Sequence, residues 1–442
     1  MGRLFGTDGV RGIAGTELTA DLARRVGSAA VHVLGGAASG PPVFVVGRDP
    51  RSSGVWLEEA LVEGITAAGG DVLLAGVEPT PAVAFLTVDL GASAGVVISA
   101  SHNPPEYNGI KLFAGDGFKL PDDLEDAIEA VLAGSTTSSA RGSVSPVEER
   151  GRERYLAHIE RTADTRLEGM TVVVDCANGA ASGLAPELYR RLGATVHAIH
   201  AEPDGVNINE GCGALHPEVV AAEVVRRMAD VGISHDGDAD RALFADAAGN
   251  VIDGDQVLAA FALDLHDAGR LREDTVVTTV MANIGFIRAM REAGVRAITT
   301  RVGDRYVVEE MLRTGATLGG EQSGHVLFLD HATTGDGLLT AVRFLSLAAH
   351  RGVRVDELAS RMRKYPQAMV NVHVRDRDAL ADAVEVTLAI EAAEAELGDT
   401  GRVLVRPSGT EQLIRVMVEA ETEDLAAAQA GKVATAVRTS LA

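Results

Sequence analysis

A serine in a proline-rich turn is the first candidate for chemistry in this chain of 442 residues. The apolar residues 96–98 predict a short buried strand, and the sequence Ser-Ala-Ser-His-Asn-Pro-Pro follows directly at residues 99–105. The prolines stiffen this turn, and ligand sites in open α/β sheets form at the carboxyl ends of strands. Ser101 could therefore act as a nucleophile or carry a phosphoryl group. Taken alone, the same residues fit a simple capped turn equally well.

Three alternating carboxylates form the second candidate site. Asp236, Asp238 and Asp240 occupy every second position, so an extended or tightly turned backbone places them on one face. Converging carboxylates repel each other unless a hard cation neutralises them, and Mg²⁺ suits an all-oxygen site. An EF-hand is disfavoured, because it requires Gly and Glu where this loop has Arg241 and Ala247. An acidic surface turn is the alternative, but it leaves the preceding apolar strand unexplained.

A third segment, residues 406–411, has the composition of a phosphate cradle. Arg406 supplies a planar guanidinium, Ser408 and Thr410 supply hydroxyls, and Gly409 frees backbone N–H groups for an anion. Arg415 follows in the next predicted strand. Because glycine-rich turns that contain an arginine are common, this segment gains its meaning from the other sites.

A fourth segment, residues 319–325, places Glu321, Ser323 and His325 between glycines. A carboxylate, a hydroxyl and an imidazole on such a loop suit close approach to the hydroxyl groups of a sugar. A glycine-rich turn with a surface histidine is the alternative interpretation.

Together the four segments resemble the α-D-phosphohexomutase family, in the order of that family and over the whole chain. The phosphoserine loop corresponds to residues 99–104, the metal loop to 236–241, the sugar loop to 320–325 and the phosphate loop to 406–411. Within the family, the chain most resembles the bacterial members that isomerise glucosamine phosphates. That finer resemblance depends on residues 4–12 and Gln322, and on two further segments, 207–209 and 212–217.

The resemblance implies an isomerase that moves a phosphoryl group between O6 and O1 of one sugar through phospho-Ser101 and a 1,6-bisphosphate. Ser101 and the three aspartates would hold Mg²⁺, and Lys111 and His325 are the candidates for general acid and base. The predicted substrate-binding residues are Arg11, Arg241, Glu321, Ser323, Arg406, Ser408, Gly409, Thr410 and Arg415. The expected ligands are a hexosamine phosphate and glucosamine or glucose 1,6-bisphosphate as activator and intermediate. The product would feed UDP-N-acetylglucosamine and cell-wall synthesis.

Three other functions stay open at this point. The first is a mutase of glucose or mannose phosphates, and the second is a non-catalytic sugar-phosphate sensor, since a fold does not determine a function. The third is a haloacid-dehalogenase-like phosphatase or kinase with Asp236 as nucleophile. Those enzymes have Thr or Val where this chain has Asp240, which disfavours this alternative. The resemblance leaves open an activating kinase, and whether the chain is a monomer or a homodimer.

Composition favours a cytoplasmic enzyme that binds neither nucleic acid nor membrane. The formal net charge is −23, and no apolar run reaches the length of a membrane span or a signal segment. An anionic substrate then requires local positive charge, which arginines within or beside the motifs could supply. These are Arg11, Arg48, Arg51, Arg241, Arg305, Arg406 and Arg415.

The two cysteines, Cys176 and Cys212, cannot form a disulfide framework of the secreted kind, and a metal site built on them would need further ligands. We therefore interpret Cys212 as a packing or turn residue, together with Asp175, Asn178 and His216.

The fold is predicted as α/β, with strand, polar turn and helix recurring from about Val43, Thr171 and Thr275. The alternating segment 369–374, two further strands and two helices predict a C-terminal α+β module. The resemblance implies the same arrangement, three related α/β domains with mixed sheets and a C-terminal α+β domain around a central cleft. The predicted boundaries are residues 1–150, 151–252, 253–366 and 367–442. Helices are predicted over 122–132, 153–161 and about 378–397, and a strand over 275–280. A Ser/Thr/Gly-rich stretch, residues 134–145, is predicted as a surface loop or linker.

Overall fold

The computed structural model describes residues 4–6, 8–35, 40–132, 141–408 and 412–441. Gly409 and Thr410 of the predicted phosphate cradle lie outside these residues, as does most of the predicted loop 134–145. The strands are β1 (Val10–Ile13), β2 (Val43–Arg48), β3 (Asp71–Val77), β4 (Ala94–Ile98), β5 (Tyr107–Ala114), β6 (Val144–Pro146), β7 (Thr171–Asp175), β8 (Thr195–Ile199), β9 (Val231–His235), β10 (Ala242–Asp246), β11 (Val251–Ile252), β12 (Thr275–Thr279), β13 (Arg296–Thr300), β14 (Leu318–Gly320), β15 (Val326–Phe328), β16 (Gln367–His373), β17 (Arg402–Pro407) and β18 (Leu413–Glu419).

The α-helices alternate with the strands over most of the chain. They are α1 (Ala20–Leu34), α2 (Ser52–Ala67), α3 (Thr80–Asp89), α4 (Asp122–Val131), α5 (Glu148–Glu160), α6 (Ala185–Arg191), α7 (Pro217–Arg227), α8 (Gly254–Asp267), α9 (Ile284–Ala293), α10 (Asp304–Thr314), α11 (Gly337–Arg351), α12 (Val355–Ala359), α13 (Val384–Leu397) and α14 (Glu423–Leu441). Among the described residues, no helix is both long and apolar enough to cross a lipid bilayer.

The first three sheets share one strand order. The first sheet is β1-β5-β4-β2-β3-β6, the second is β11-β10-β9-β7-β8, and the third is β13-β12-β14-β15. In each, a central strand (β2, β7 or β12) has a parallel neighbour on both sides, and one of these neighbours pairs with an antiparallel strand. This common pattern confirms three related α/β domains with mixed sheets.

Three strands inside the sheets are fully buried. β4, β9 and β12 are buried at every position, as expected where helices cover both sides of a sheet; β4 is a continuous apolar run, while β9 and β12 also bury Ser, His and Thr side chains. The cluster beneath the first sheet joins α1, α2 and α4 to Phe44, Val46, Val96 and Ile98. Burial of this kind holds the strand ends, and therefore the loops that leave them, in place.

The chain divides into two compact units. One comprises Met1–Met281 with Val295–Ser360, and it contains the three mixed sheets. The other comprises Ala282–Gly294 with Arg361–Ala442, and it contains the antiparallel sheet β16-β18-β17 with α9, α13 and α14. The C-terminal α+β module is thus confirmed, while the four predicted domain boundaries stay predictions.

Three local predictions need correction. The end of the predicted loop, residues 144 and 145, forms an edge strand with Pro146, because these residues pair in parallel with β3. A sequence of three residues does not reveal such a tertiary contact. The helix predicted over 378–397 is interrupted, since Asp378–Asp382 is a 3₁₀ turn and Ala383 has a non-helical ψ of 87°. Helix α5 begins at Glu148, five residues before its predicted start at Glu153.

Candidate active site

Three of the four predicted loops leave equivalent strands of the three related sheets. The serine loop follows β4, the metal loop follows β9 and the sugar loop follows β14, and each loop returns into the antiparallel partner strand. Because the strand order is the same in each sheet, the three loops emerge at the same edge position of their domains. The fold therefore repeats one loop position three times and gives each copy a different set of side chains.

Backbone geometry sets the direction of Ser101. Its φ is 51°, in the left-handed region that only a few per cent of residues other than glycine adopt, and its side chain is buried. The N–H of Ser101 donates to Ser99 Oγ at 2.9 Å, and Ser99 Oγ donates to Asp49 Oδ2 at 2.6 Å. A non-glycine residue in this region is often part of a functional site, because the surroundings must offset its strain.

A buried arginine holds the outside of the serine loop. The guanidinium of Arg51 donates to the carbonyl oxygens of Ser101 (2.9 Å), Asn103 (2.8 Å) and Tyr107 (3.0 Å). It also donates through Nε to Asp49 at 2.9 Å, and both side chains are fully buried. Only a guanidinium has enough donors in one plane for these contacts, so Arg51 supports the loop instead of binding substrate.

The serine hydroxyl lies directly against the three carboxylates. Ser101 Oγ donates to Asp236 Oδ2 at 2.7 Å, and one oxygen each of Asp236, Asp238 and Asp240 lies within 4.8 Å of the others. Burial, followed by the charges of Asp240 and Asp238, raises the pKa of Asp236 well above its ordinary value. Such crowding is costly for the free carboxylates and favourable once a cation binds them.

The carboxylate group fits a divalent metal ion. Asp238 Oδ1 and Asp240 Oδ1 are buried and have no hydrogen-bond partner among the residues that the structure describes. Buried polar atoms are nearly always paired, so unpaired oxygens that converge in this way are the ones a cation would coordinate. Hard oxygen ligands alone favour Mg²⁺, Mn²⁺ or Ca²⁺ over softer metals.

Lys111 lies beside the metal loop as a buried cation. Its Nζ donates to Asp238 Oδ2 at 2.8 Å and lies 3.0 Å from Asp8 Oδ2. Burial opposes the charge of Lys111, but Asp238, Asp8 and Asp240 outweigh this cost and raise its pKa. Lys111 is therefore protonated in the free protein.

His325 lies between two carboxylates on the opposite side of the same group. Its Nδ1 is 3.6 Å from Asp240 Oδ2, and its Nε2 is 3.7 Å from Asp304 Oδ2. Burial alone would lower the pKa of His325, but Asp240 and then Asp304 raise it to about 9. Like Lys111, this imidazole carries a proton at neutral pH.

Sequence reasoning missed the residues that connect these two cations. Lys119 bonds both Asp8 and Asp304, so that opposite charges alternate around the site. The order is Asp238, Lys111, Asp8, Lys119, Asp304, His325 and Asp240. The chain has only four lysines, and the closeness of Lys111 and Lys119 in sequence was a signal that could have found the second one.

Ser101 and Asp240 line a cavity of about 430 Å³. Arg11, Arg241 and Glu321, three of the predicted substrate-binding residues, also line it, as does His325, a candidate for general acid or base. Ser323 is not among the described residues that line the cavity, and its buried hydroxyl has no hydrogen-bond partner among them. His102 also lines the cavity, and burial, followed by Arg241 and Arg11, lowers its pKa to about 4, so it is neutral.

The other arginines named in the sequence analysis have different surroundings. Arg48 lies 3.5 Å from Glu58, and Arg305 pairs with Asp122 and Glu125. In the second unit, Arg406 and Arg415 are opposite each other on β17 and β18. Burial and the charge of Arg415 lower the pKa of Arg406, as expected of two guanidinium groups that would share an anion.

The arrangement supports one kind of chemistry best. A serine hydroxyl against metal-binding carboxylates can accept and release a phosphoryl group, because a bound cation neutralises the charge of the transferred phosphate. Protonated Lys111 and His325 lie beside two of these carboxylates, Asp238 and Asp240. The fold and this site together define an enzyme of phosphoryl transfer that acts on a small anionic substrate.

Known proteins match the chain over its whole length. Residues 2–138, 153–249 and 253–365 match the alpha/beta/alpha domains I, II and III of phosphoglucomutase/phosphomannomutase, and residues 369–436 match its C-terminal domain. The chain is 57% identical to a phosphoglucosamine mutase of Rhodococcus jostii (strain RHA1), over 96% of this chain and 97% of the relative. It is 54% identical to a phosphoglucosamine mutase of Frankia alni, over 100% of this chain and 99% of the relative.

Solved structures agree with the fold. A phosphoglucomutase/phosphomannomutase family protein from Burkholderia thailandensis superposes with a TM-score of 0.83 at 26% identity, covering 99% of this chain and 97% of that one. N-acetylphosphoglucosamine mutase of Aspergillus fumigatus, solved with GlcNAc-6P and magnesium, superposes with a TM-score of 0.72 at 19% identity, covering 99% of this chain and 96% of that one. The chain belongs to the phosphoglucomutase/phosphomannomutase family, and it is an isomerase of the phosphohexomutase type.

Proposed function

We propose that the chain interconverts glucosamine 6-phosphate and glucosamine 1-phosphate. The observation that carries the proposal is Ser101 Oγ at 2.7 Å from Asp236, inside a cavity that Arg11 and Arg241 line. The relatives that are 51–57% identical over nearly the whole chain are named phosphoglucosamine mutases, which supports the amino sugar as substrate.

The proposed reaction has two transfers in opposite directions. In the first, a hydroxyl of the sugar loses its proton and attacks the phosphorus of phospho-Ser101, the bond from phosphorus to Ser101 Oγ breaks, Ser101 Oγ regains a proton, and a 1,6-bisphosphate forms. The bisphosphate then turns over in the cavity. In the second transfer, Ser101 Oγ loses its proton and attacks the other phosphate, the bond from phosphorus to the sugar oxygen breaks, and that sugar oxygen takes a proton. The enzyme returns to its phosphorylated form, so no net phosphate is consumed.

Some residues of the site would neutralise charge or transfer protons, and others would orient the substrate. Mg²⁺ held by Asp236, Asp238, Asp240 and a phosphoryl oxygen on Ser101 would neutralise the charge of the transferred group. Lys111 and His325 are the proposed donors to the sugar oxygen that loses phosphate, since both carry a proton in the free protein. Arg11, Arg241 and Glu321 would orient the substrate, because positioning is most of what phosphoryl transfer requires.

The second unit is proposed to bind phosphate. Arg406, Ser408 and Arg415, together with Gly409 and Thr410, would hold the phosphate that is not reacting. A pair of guanidinium groups on adjacent strands supports this role, since a shared anion would remove their mutual repulsion. Ser323 and Glu321 keep their proposed role towards the sugar hydroxyls. Glucosamine or glucose 1,6-bisphosphate is the proposed activator, a cytoplasmic location is expected, and the product would feed UDP-N-acetylglucosamine and cell-wall synthesis.

Substrate comparison tests the proposal. The purified protein, with Mg²⁺ and a catalytic amount of 1,6-bisphosphate, is given the 6-phosphates of glucosamine, glucose and mannose in turn, and products are followed by phosphorus NMR. A charge-assisted bond to the amino group, of about 1.5–3 kcal/mol, predicts an efficiency about 10- to 100-fold higher with glucosamine 6-phosphate. Faster turnover of glucose or mannose 6-phosphate would contradict the amino-sugar preference, and no turnover of any of the three would contradict the mutase.

A further inference from the structure

Three side chains of different types converge in the second mixed sheet, outside the residues that the proposed reaction uses. Asp175 ends β7, His200 follows β8, and Cys212 precedes the short 3₁₀ turn Gly213–Leu215. One ligand atom each of Asp175, His200 and Cys212 lies within 4.8 Å of the others. Asp175 and Cys212 were expected to be packing or turn residues, since a metal site would need further ligands; His200, on a separate strand end, is the ligand that the sequence did not reveal.

Backbone hydrogen bonds from neighbouring residues fix the position of the Asp175 carboxylate. Asp175 is fully buried, and its carboxylate accepts from the N–H of Ala177 at 2.9 Å and from the N–H of Gly213 at 3.0 Å. His200 has a φ of 45°, the left-handed conformation again at a residue that is not glycine. These contacts orient one carboxylate oxygen towards the imidazole.

The imidazole itself points to a missing partner. His200 Nδ1 lies 3.1 Å from Asp175 Oδ2, yet it is buried and has no hydrogen-bond partner of suitable geometry among the described residues. Cys212 is a free and fully buried thiol. Since the His200 side chain is 35% exposed, an ion could reach the group from solvent.

We propose that Asp175, His200 and Cys212 bind one Zn²⁺ ion, with water in the fourth position, as a second metal site separate from the carboxylate loop. Thiolate, imidazole and carboxylate are the protein ligands of zinc, and a thiolate disfavours Mg²⁺. To form zinc bonds of about 2.0–2.3 Å, the three ligand atoms, which now lie within 4.8 Å of one another, must move slightly closer together.

The site connects to the serine loop through Asn209, three residues before Cys212. The Nδ2 of Asn209 donates to the carbonyl oxygens of Ser101 (2.9 Å) and Asn103 (3.1 Å), and its backbone N–H donates to Ala177 O at 2.9 Å. A cation that joins Asp175 to Cys212 would fix the segment between them and, with it, the carbonyl contacts of Asn209. The zinc site is therefore inferred to stabilise the serine loop instead of taking part in phosphoryl transfer.

Cobalt spectroscopy tests the site, because Co²⁺ replaces zinc and a thiolate ligand gives an intense near-ultraviolet charge-transfer band. The full-length protein is stripped with a chelator, reduced with a phosphine, saturated with Mg²⁺ and titrated with Co²⁺. We expect one equivalent of Co²⁺ to produce the thiolate band and Zn²⁺ to abolish it. Because a thiol must lose its proton to bind a metal, the band should strengthen as pH rises.

Matched variants assign the ligands. Cys212→Ser should abolish the band, whereas Cys176→Ser, which removes the other buried thiol, should retain it. His200→Ala, at a partly exposed side chain, should weaken Co²⁺ binding at least about 10-fold, since even the outer contacts of metal ligands contribute about 10–100-fold. Circular dichroism confirms that each variant is folded. Absence of a thiolate band in the folded wild type, or its persistence in Cys212→Ser, would overturn the proposal.

Discussion

Each charged side chain around Ser101 depends on a neighbour of opposite sign. Lys111 lies between Asp238 and Asp8, and His325 lies between Asp240 and Asp304. In a low-dielectric interior an unpaired charge is costly, so removing one residue of an ion pair leaves the other buried without a countercharge. At the scale of single residues, the site is therefore a set of paired charges in which the space between the three carboxylates is the place for a cation.

Asp238→Asn tests the metal group. The substitution keeps the shape of the side chain that accepts from Lys111 and Thr80 but removes one of three metal-binding charges. We expect kcat to fall by about 10²-fold or more and the Mg²⁺ concentration for half-maximal rate to rise. The measurement is isomerisation against Mg²⁺ concentration, with the exposed Asp123→Asn as control. Equal Mg²⁺ dependence in both variants would show that Asp238 does not hold the metal.

The pKa of His325 predicts a dependence of stability on pH. Asp240 and Asp304 raise this pKa to about 9 in the folded protein, above the ordinary value of 6.5. The protonated imidazole therefore stabilises the fold fully below about pH 6.5, and this contribution is lost as pH rises through about 9. Without metal, His325→Gln should cost about 1–3 kcal/mol at pH 6 and much less at pH 10. Urea unfolding at both pH values measures this, and a pH-independent difference would argue against the charged imidazole.

At the scale of elements, the fold uses one position three times. The loops after β4, β9 and β14 leave the same place in each sheet, and one supplies the hydroxyl, one the three aspartates and one the carboxylate of Glu321 and the imidazole of His325. Because the strands beneath are fully buried, these loops start from fixed points. The sheets thus fix where the loops start, and the loops differ in the side chains that they bring to the site.

Arg51→Lys tests how much the serine loop depends on its buried support. A lysine keeps the charge but cannot reach three carbonyl groups and Asp49 at once. We expect a loss of about 3–5 kcal/mol in stability, because Asp49 and the carbonyls lose partners, and a fall in kcat at unchanged Mg²⁺ dependence. Thermal unfolding and turnover are measured beside Arg48→Lys, whose guanidinium is partly exposed. A variant of Arg51 that matches this control would show that the support is dispensable.

The positions of many strands and helices could be predicted from the sequence, because buried strands contain short apolar runs. Strand β12 and helix α4 each end one residue before the predicted end. Strand β6 was missed because its pairing with β3 is a tertiary contact that no local pattern records. The broken helix before α13 escaped because Ala383 is an ordinary helix former.

The site divides in the same way. Ser101 and the three aspartates could be predicted, because unusual residue types stand next to one another in the chain. Asp8 and Asp304 could not, since they meet Lys119 only when three segments far apart in sequence fold together, and the short spacing from Lys111 was the sole signal for Lys119. The group of Asp175, His200 and Cys212 was missed for the same reason.

At the scale of the whole molecule, an acidic protein must bind an anion. The chain has a formal net charge of −23, while Arg11 and Arg241 line the cavity beside Ser101. In the second unit, Arg406 and Arg415 face each other across two strands. Positive charge is thus gathered where phosphate is expected, which gives local attraction without changing the overall acidity.

Arg406→Ala tests the contribution of the second unit. A bidentate contact between a guanidinium and phosphate is worth about 1.5–3 kcal/mol, so we expect KM to rise about 10- to 100-fold. The variant should also release free 1,6-bisphosphate, detectable by phosphorus NMR, because the intermediate would be held less tightly. Arg438→Ala removes an exposed positive charge from the same unit and is the control. A KM equal to that of the control would remove Arg406 from the list of substrate-binding residues.

The central claim is that Ser101 transfers its phosphoryl group to an amino-sugar phosphate and regains one from it. The most direct measurement starts with protein that carries radiolabelled phosphate, mixes it with unlabelled glucosamine 6-phosphate and stops the reaction within one turnover. The account predicts that the label leaves the protein and appears in sugar phosphate, that the protein stays phosphorylated, and that Ser101→Ala never takes up label. Label that remains on the protein, or that appears only as inorganic phosphate, would contradict it.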